Sequence, residues 1–395
     1  MTQTPDLLLQ LPPARLQVAL RLISYMLEEG RTAADPDQVL EKMCSLIRAS
    51  GVPLKRAASI VQLLHAEAVA SARFWEHGKG SRSELFPFNE GSGDGYARSP
   101  AADVHRTGEW VVLWLPETPD DRYGIVPDLK AEGYTHYIMA PVFMGIGTAG
   151  IFSFSTQSAE GFSDEDIRFL RAVFPALAAC QEVLSTARTM KEVLRIYVGE
   201  EPQRRILSGD VHRGEVMRIR SAILFADMRR FTELTAGMSA EQATGLLNAY
   251  YDCIVPPVEA AGGEVLKLIG DGILAVFRAG EDWSQTCAQA LAAARDGLAR
   301  VAASAGQPRF EAGIALHFGE AAFGNVGSGM RLDYTVIGRD VNLAARVAEL
   351  CGAKDEPLLV SSEFRARAGL EGRSLGAISL KGLRSQEEVF AVPLK

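Results

Sequence analysis

The sequence predicts an α+β protein of two domains, on three observations. From Arg220 onward the pattern runs strand, helices, strand–turn–strand, helix and strand again, the mixed order of an α+β domain. Ahead of it, two amphipathic helices are followed by strand-like pieces and a closing helix. Between the two lies a highly charged stretch, residues 186–215, whose helical register is broken at Gly199 and Pro202. These features divide the chain into a regulatory or dimerisation domain (1–185), a linker (186–215) and a second domain (216–395).

Composition narrows the partners. Apolar residues make up 47% of the 395 positions, enough for an ordinary core. A net charge of −8 disfavours nucleic acid and anionic membrane surfaces. The five cysteines (Cys44, Cys180, Cys253, Cys287 and Cys351) are odd in number and form no CxxC pair, which suits reduced, buried thiols. The start, MTQTPDLLLQLPPARL, has no basic segment leading into an apolar run, so no signal peptide is expected. No apolar run approaches the roughly 18 residues of a membrane helix. A cytoplasmic protein without membrane insertion is the expectation.

In the N-terminal part, ARLQVALRLISYMLEEG and DPDQVLEKMCSLIRASG read as helices, the second capped by Asp35 or Asp37. ASIVQLL and VASARFWEHG read as strands, and GSRSELFPFNEGSGDGYARSP as a mobile loop. THYIMAPVFM and TAGIFSFST are further strands, before a helix with Ser163 as N-cap and Asp166 at its third position. His65, His77, His105 and His136 are too dispersed for a metal site. This order, closing on FSDEDIRFLRAVFPALA, resembles the GAF family of sensory domains over roughly residues 16–185. The resemblance implies a GAF-like α/β sensory domain with an unidentified small-molecule ligand; a domain that only dimerises is the alternative.

Three segments of the second domain carry chemistry. In RIRSAILFADMRRFTEL an apolar strand ends in Asp227 and passes into a short helix, whose first N–H groups, from Met228 to Thr232, suit phosphate oxygens. In GGEVLKLIGDGILAVF two apolar strands flank a Gly-Asp-Gly turn, a hairpin signal that places Asp271 at its tip. If the strands are neighbours, Asp227 and Asp271 supply two hard oxygen donors for Mg²⁺ or Mn²⁺. In DYTVIGRDVNLAARVAEL a strand turns at Gly338 into a helix that places Asn342 and Arg346 at i and i+4, on one face.

FADMRRFT, KLIGDGILAVF and YTVIGRDVNLAARV, in this order, closely resemble the catalytic domain of class III adenylyl and guanylyl cyclases, over roughly residues 216–395. The resemblance implies a ferredoxin-like βαββαβ domain working as a homodimer, with ATP at the interface and two divalent cations, Mg²⁺ or Mn²⁺. It assigns the metals to Asp227 and Asp271, the base to Lys267 and Thr335, the ribose region to Asn342 and the transition state to Arg346. Phe231 and Thr232 fall in the phosphate-binding segment. Lys381, in SLKGL, matches a triphosphate-binding cation.

Lys267 is donor-only and complements adenine N1, whereas guanine presents a donor there. The implied activity is therefore ATP to cyclic AMP. Two positions depart from the commonest pattern: Thr335, where adenylyl members usually have Asp, and Arg230, where Gly is more usual. Thr335 leaves a guanylyl or dual-specificity cyclase as the alternative. An inactive nucleotide-sensing homologue would lack a metal acid, Asn342 or Arg346, and none is lost. A diguanylate cyclase is set aside, because Val265 and Leu266 follow GGE where its signature needs Glu and Phe.

Overall fold

The computed structural model describes residues 4–64, 68–87, 92–145, 149–210, 212, 214–304, 309–329, 331–379 and 386–394. The chain divides into two compact units, Met1–Val193 and Leu194–Lys395.

The N-terminal unit begins with helices α1 (Thr4–Leu9), α2 (Pro13–Glu28) and α3 (Pro36–Ala49). Asp35 caps α3, its carboxylate accepting from the Asp37 N–H at 2.9 Å. Strands β1 (Arg56–Gln62), β2 (Ala68–Glu76) and β3 (Gly80–Pro87) follow, then α4 (Ser92–Ala97), α5 (Pro100–Thr107), β4 (Val111–Trp114) and α6 (Val126–Ala131). The unit finishes with β5 (His136–Phe143), β6 (Ala149–Thr156) and most of the long α7 (Asp164–Val198), whose last residues, 194–198, belong to the C-terminal unit. Among the described residues the strands form one sheet in the order β3-β2-β1-β6-β5-β4. Helices α2, α3 and α7 cover it through Leu22, Met43, Ile47, Phe169 and Leu177. The capping pair at α7 is present: the Asp166 N–H donates to Ser163 Oγ at 3.2 Å, and the Ser163 N–H to Asp166 Oδ2 at 2.9 Å.

Two expectations need correction. The stretch read as a mobile loop contains β3, which pairs with β2 from Glu76↔Gly80 to Ala68↔Pro87, and then α4. The linker stretch has the helical register expected of it, α7 continuing to Val198 and α8 spanning Glu200–Ser208, but the break expected at Pro202 is absent. The break is at Gly199, with φ +92. Pro202 lies in the first turn of α8, where its missing N–H has no intrahelical partner to lose.

The C-terminal unit continues with β7 (Val216–Met228), α9 (Phe231–Thr235), α10 (Ala240–Ala260), β8 (Glu264–Ile269), β9 (Gly272–Arg278), α11 (Trp283–Ala303) and β10 (Ala312–Ser328). Then come β11 (Arg331–Ile337), α12 (Arg339–Lys354), β12 (Leu358–Ser361), α13 (Ser362–Ala368), β13 (Arg373–Ser379) and β14 (Gln386–Ala391). Its sheet runs β13-β14-β12-β10-β7-β9-β8, with β11 hairpinned onto β10. The central pair is long: β7 and β10 stay in antiparallel register from Met228↔Ala312 to Val216↔Gly324.

Strand alternation sorts the faces of β7. Ala222, Leu224, Ala226 and Met228 enter the core that includes Ile254 of α10 and Leu298 of α11. Ile223, with Phe225 packed beside it, joins Val341 and Ala344 of α12. Asp227 follows on that second side, at the end of the strand. Among the described residues no helix is long and apolar enough to cross a membrane.

Candidate active site in the C-terminal unit

Two adjacent strands deliver the two aspartates. β7 pairs with β9 up to Ala226↔Ile273, so the tip of the β8–β9 hairpin lies beside Asp227. That tip is a two-residue turn between Ile269 and Gly272, with Gly270 at φ +61 and Asp271 after it. A glycine at the first turn position supplies the positive φ such hairpins need. The Tyr251 hydroxyl of α10 donates to the Gly270 carbonyl and ties the turn to the helix.

The Asp227 and Asp271 carboxyls stand close enough to interact directly. Burial, then the like charge of Asp271, then that of Glu349, push the Asp227 carboxyl up to about 7. Two acids so close resist joint ionisation unless a cation joins them. The donor set therefore fits a hard divalent ion, which takes oxygen ligands and accepts phosphate and water for the rest. Among the described residues no group of three or more His, Cys, Asp or Glu side chains gathers at one point.

This shift has a testable sign. The folded pKa of Asp227 lies above the ordinary carboxylate value near 4. The folded state therefore binds the proton more tightly, and its stability falls as pH rises from about 4 to about 7. Asp227→Asn in excess EDTA is expected to melt above the wild type at pH 8, by roughly 2–5 °C for a partly exposed group. The gain should shrink toward zero as pH approaches 4. A variant less stable than wild type at pH 8 would contradict like-charge strain in the pair.

Helix α12 presents Asn342, exposed, and Arg346, partly exposed, one turn apart. Arg346 is ion-paired with Glu349 of the same helix. Among the described residues no hydrogen bond or ion pair links Asn342 or Arg346 to Asp227 or Asp271 within the chain.

Lys267 of β8 donates to Asp333 of β11 at 2.5 Å. Asp333 and Thr335 lie two residues apart on one strand and share a face. A groove of the unit is lined by Lys267 and Asp333, together with Glu201, Val265, Leu332 and Tyr334. It does not include the aspartate pair, which is half-buried at the strand ends.

Arg230 adopts φ 54, ψ 34, the left-handed region. That explains why glycine is the usual residue there: a side chain at this φ costs about 1–2 kcal/mol. Phe231 packs its ring against the α10–α11 core, and Thr232 is exposed. Helix α9, which they open, has only five residues and offers a correspondingly weak terminal dipole. Lys381 and His65 lie outside the described residues.

The structure adds residues that motif reading missed. Asp333 holds Lys267, and Glu349 holds Arg346. Tyr250 is fully buried behind the aspartates, and burial with their charges pushes its hydroxyl well above the ordinary value. The Tyr250–Tyr251 pair on α10 was the available signal.

Residues 218–392 match the family described as adenylate and guanylate cyclase catalytic domain. An uncharacterized protein of Mycobacterium tuberculosis is 36% identical over 177 residues, covering 44% of this chain and 32% of the relative. An adenylate cyclase of Anabaena cylindrica is 36% identical over 139 residues, covering 33% and 27%. The chain thus spans about a third or less of the length of these curated relatives. Among solved structures, the adenylyl cyclase CyaB from P. aeruginosa is 28% identical, covering 45% of this chain and 96% of that one, at a TM-score of 0.39. The guanylyl cyclase Cya2 is 26% identical, covering 46% and 94%, also at 0.39. With the ordered motifs of the sequence, the family match identifies residues 218–392 as a class III adenylate and guanylate cyclase catalytic domain.

Proposed function

We propose that the protein is an adenylyl cyclase, converting ATP to 3′,5′-cyclic AMP and pyrophosphate at sites shared between two copies of the chain. The observation that carries this reading is the Asp227–Asp271 pair, two interacting carboxyls at adjacent strand ends. The relative in Anabaena cylindrica, named adenylate cyclase, supports the direction.

In the reaction the ribose 3′-oxygen attacks the α-phosphorus, its proton leaves to solvent, and the bond to the β-phosphate oxygen breaks to release pyrophosphate. Asp227 and Asp271 would hold two divalent cations, Mg²⁺ or Mn²⁺, which when bound lower the pKa of the hydroxyl and neutralise the leaving phosphates. Arg346 of the second copy leaves Glu349 and meets the charge that grows on the α-phosphate, an interaction stronger in the transition state than in the ground state. Asn342 fixes the ribose beside it. Lys267 has three N–H donors; Asp333 takes one and aims the ammonium, and another faces adenine N1. The Thr335 hydroxyl accepts from adenine N6. Thr335 also donates, so a guanylyl or dual-specificity cyclase is the second reading. A cytoplasmic location, and a regulatory N-terminal unit with a small-molecule ligand, belong to the same proposal.

The test is the purified chain with ATP or GTP and either metal, products identified by mass. Cyclic AMP from ATP supports the reading, cyclic GMP alone transfers it to guanylyl activity, and no cyclic product overturns it. Lys267→Glu replaces a donor by an acceptor and places two carboxylates, 267 and 333, together. ATP use in this variant should fall by about 10–200-fold in kcat/KM relative to GTP use. An unchanged ATP-to-GTP ratio would remove Lys267 from the base pocket.

A further inference from the structure

Helix α12 carries Asn342 and Arg346, yet no side chain caps its first turn: Gly338 stands at the N-cap with φ 152. What fixes that end is Asp340, in the first turn of the helix. Its Oδ2 accepts from the backbone N–H of Glu320 on β10 at 2.7 Å, so a helix side chain is bonded to the neighbouring strand. The strand residue beside this contact is Gly319, where a Cβ would collide with the Asp340 carboxyl. On its other side the carboxyl faces the buried His317, whose Nε2 stands 3.8 Å from Oδ1. His317 is itself held: its Nδ1 lies 2.8 Å from Ser361 Oγ. Ser361 Oγ in turn accepts from the Phe364 N–H at 3.2 Å, capping α13. At 3.8 Å, His317 Nε2 is not hydrogen-bonded to the Asp340 carboxyl. The His317 imidazole, ahead of the Glu320 N–H, keeps the Asp340 carboxyl below the ordinary range, so it remains an acceptor at neutral pH.

We infer that Asp340 is a positioning residue for catalysis: its bond to the Glu320 N–H, with the buried His317 beside it, and the gap at Gly319 lock the start of α12 to β10 and thereby set where Asn342 and Arg346 project. This inference rests on the cyclase reading above and names a residue outside its substrate contacts. A displacement of about 1 Å at a catalytic group costs roughly 10²-fold in rate. Loss of the latch should therefore appear in turnover rather than in substrate affinity.

The test compares Asp340→Ala, Asp340→Asn and Gly319→Ala in the full chain, at matched dimer content. Asp340→Ala should lose about 10–100-fold in kcat with KM for ATP within about 3-fold. Gly319→Ala, which pushes the carboxyl aside, should lose kcat in the same sense. Asp340→Asn keeps an oxygen acceptor for the Glu320 N–H and should stay within about 3-fold of wild type. Mixed dimers assign the defect to a half-site: Asp340→Ala should recover activity with Asp227→Ala and fail to recover with Arg346→Ala. A kcat near wild type for Asp340→Ala, equal damage in Asp340→Asn, or recovery with Arg346→Ala overturns the inference. Failure of the reference mixture, Asp227→Ala with Arg346→Ala, indicts the shared-site reading instead, and the three single-variant kcat values then decide on Asp340.

Discussion

Asp227→Ala and Asp271→Ala are each expected to abolish cyclic nucleotide formation, on the order of 10³-fold or more, without unfolding the protein. The size of the effect follows from the pair itself. Glu349, the other acid whose charge reaches Asp227, is paired with Arg346, and among the described residues no group of three such side chains could hold a metal ion, so neither aspartate has a substitute. The fold should survive because each acid strains the other: Asp271 helps to push the Asp227 carboxyl up to about 7. Removing one relieves that repulsion and leaves the strand pairing of β7 with β9 untouched. Turnover with saturating Mg²⁺ and Mn²⁺, alongside melting curves, checks both halves. Near-normal turnover in either variant would force the metal assignment away from this pair. A lost melting transition would mean the aspartates serve structure before chemistry.

The parts of the site that were legible in sequence are those made by local signals. Asp227 ends an apolar strand, Asp271 sits in a Gly-flanked hairpin, and Asn342 and Arg346 follow a strand turn at helical spacing. Each signal spans fewer than about ten residues, and each element formed as read. What sequence did not disclose depends on partners far apart along the chain. Asp333 meets Lys267 across two strands, and Asp340 meets the Glu320 N–H only because β11 folds back on β10. In the N-terminal unit β3 was hidden for a different reason. GSRSELFP is mostly exposed and has no apolar alternation, and it is a strand because β2 offers it a free edge. Helix α8 was hidden by its proline and charges, yet those charges hold it: buried Glu201 is bonded by Arg204 and Arg205 and approached by Arg278 of β9.

Arg346→Ala is expected to cost about 10²–10³-fold in turnover, the toll of losing one preorganised charge at the transition state. Its effect on the fold should be small, since the side chain is partly exposed and its ion pair with Glu349 is an i,i+3 contact on one helix surface. The more telling result comes from mixing. Among the described residues no hydrogen bond or ion pair joins Arg346 or Asn342 directly to the aspartates, as a site completed by a second copy would have it. An isologous dimer has two such sites, each taking its acids from one copy and its α12 from the other. A heterodimer of Asp227→Ala and Arg346→Ala chains then holds one site with both defects and one with none. Random mixing places half of the dimers in that class, so activity should return to about a quarter of wild type from two nearly inactive parents. The return should follow the heterodimer fraction as the ratio of chains is varied. Heterodimers that form, by mass, and stay inactive would place the acids and the arginine in a single copy. The Arg346 side chain would then have to leave Glu349 and turn toward the aspartates of its own chain.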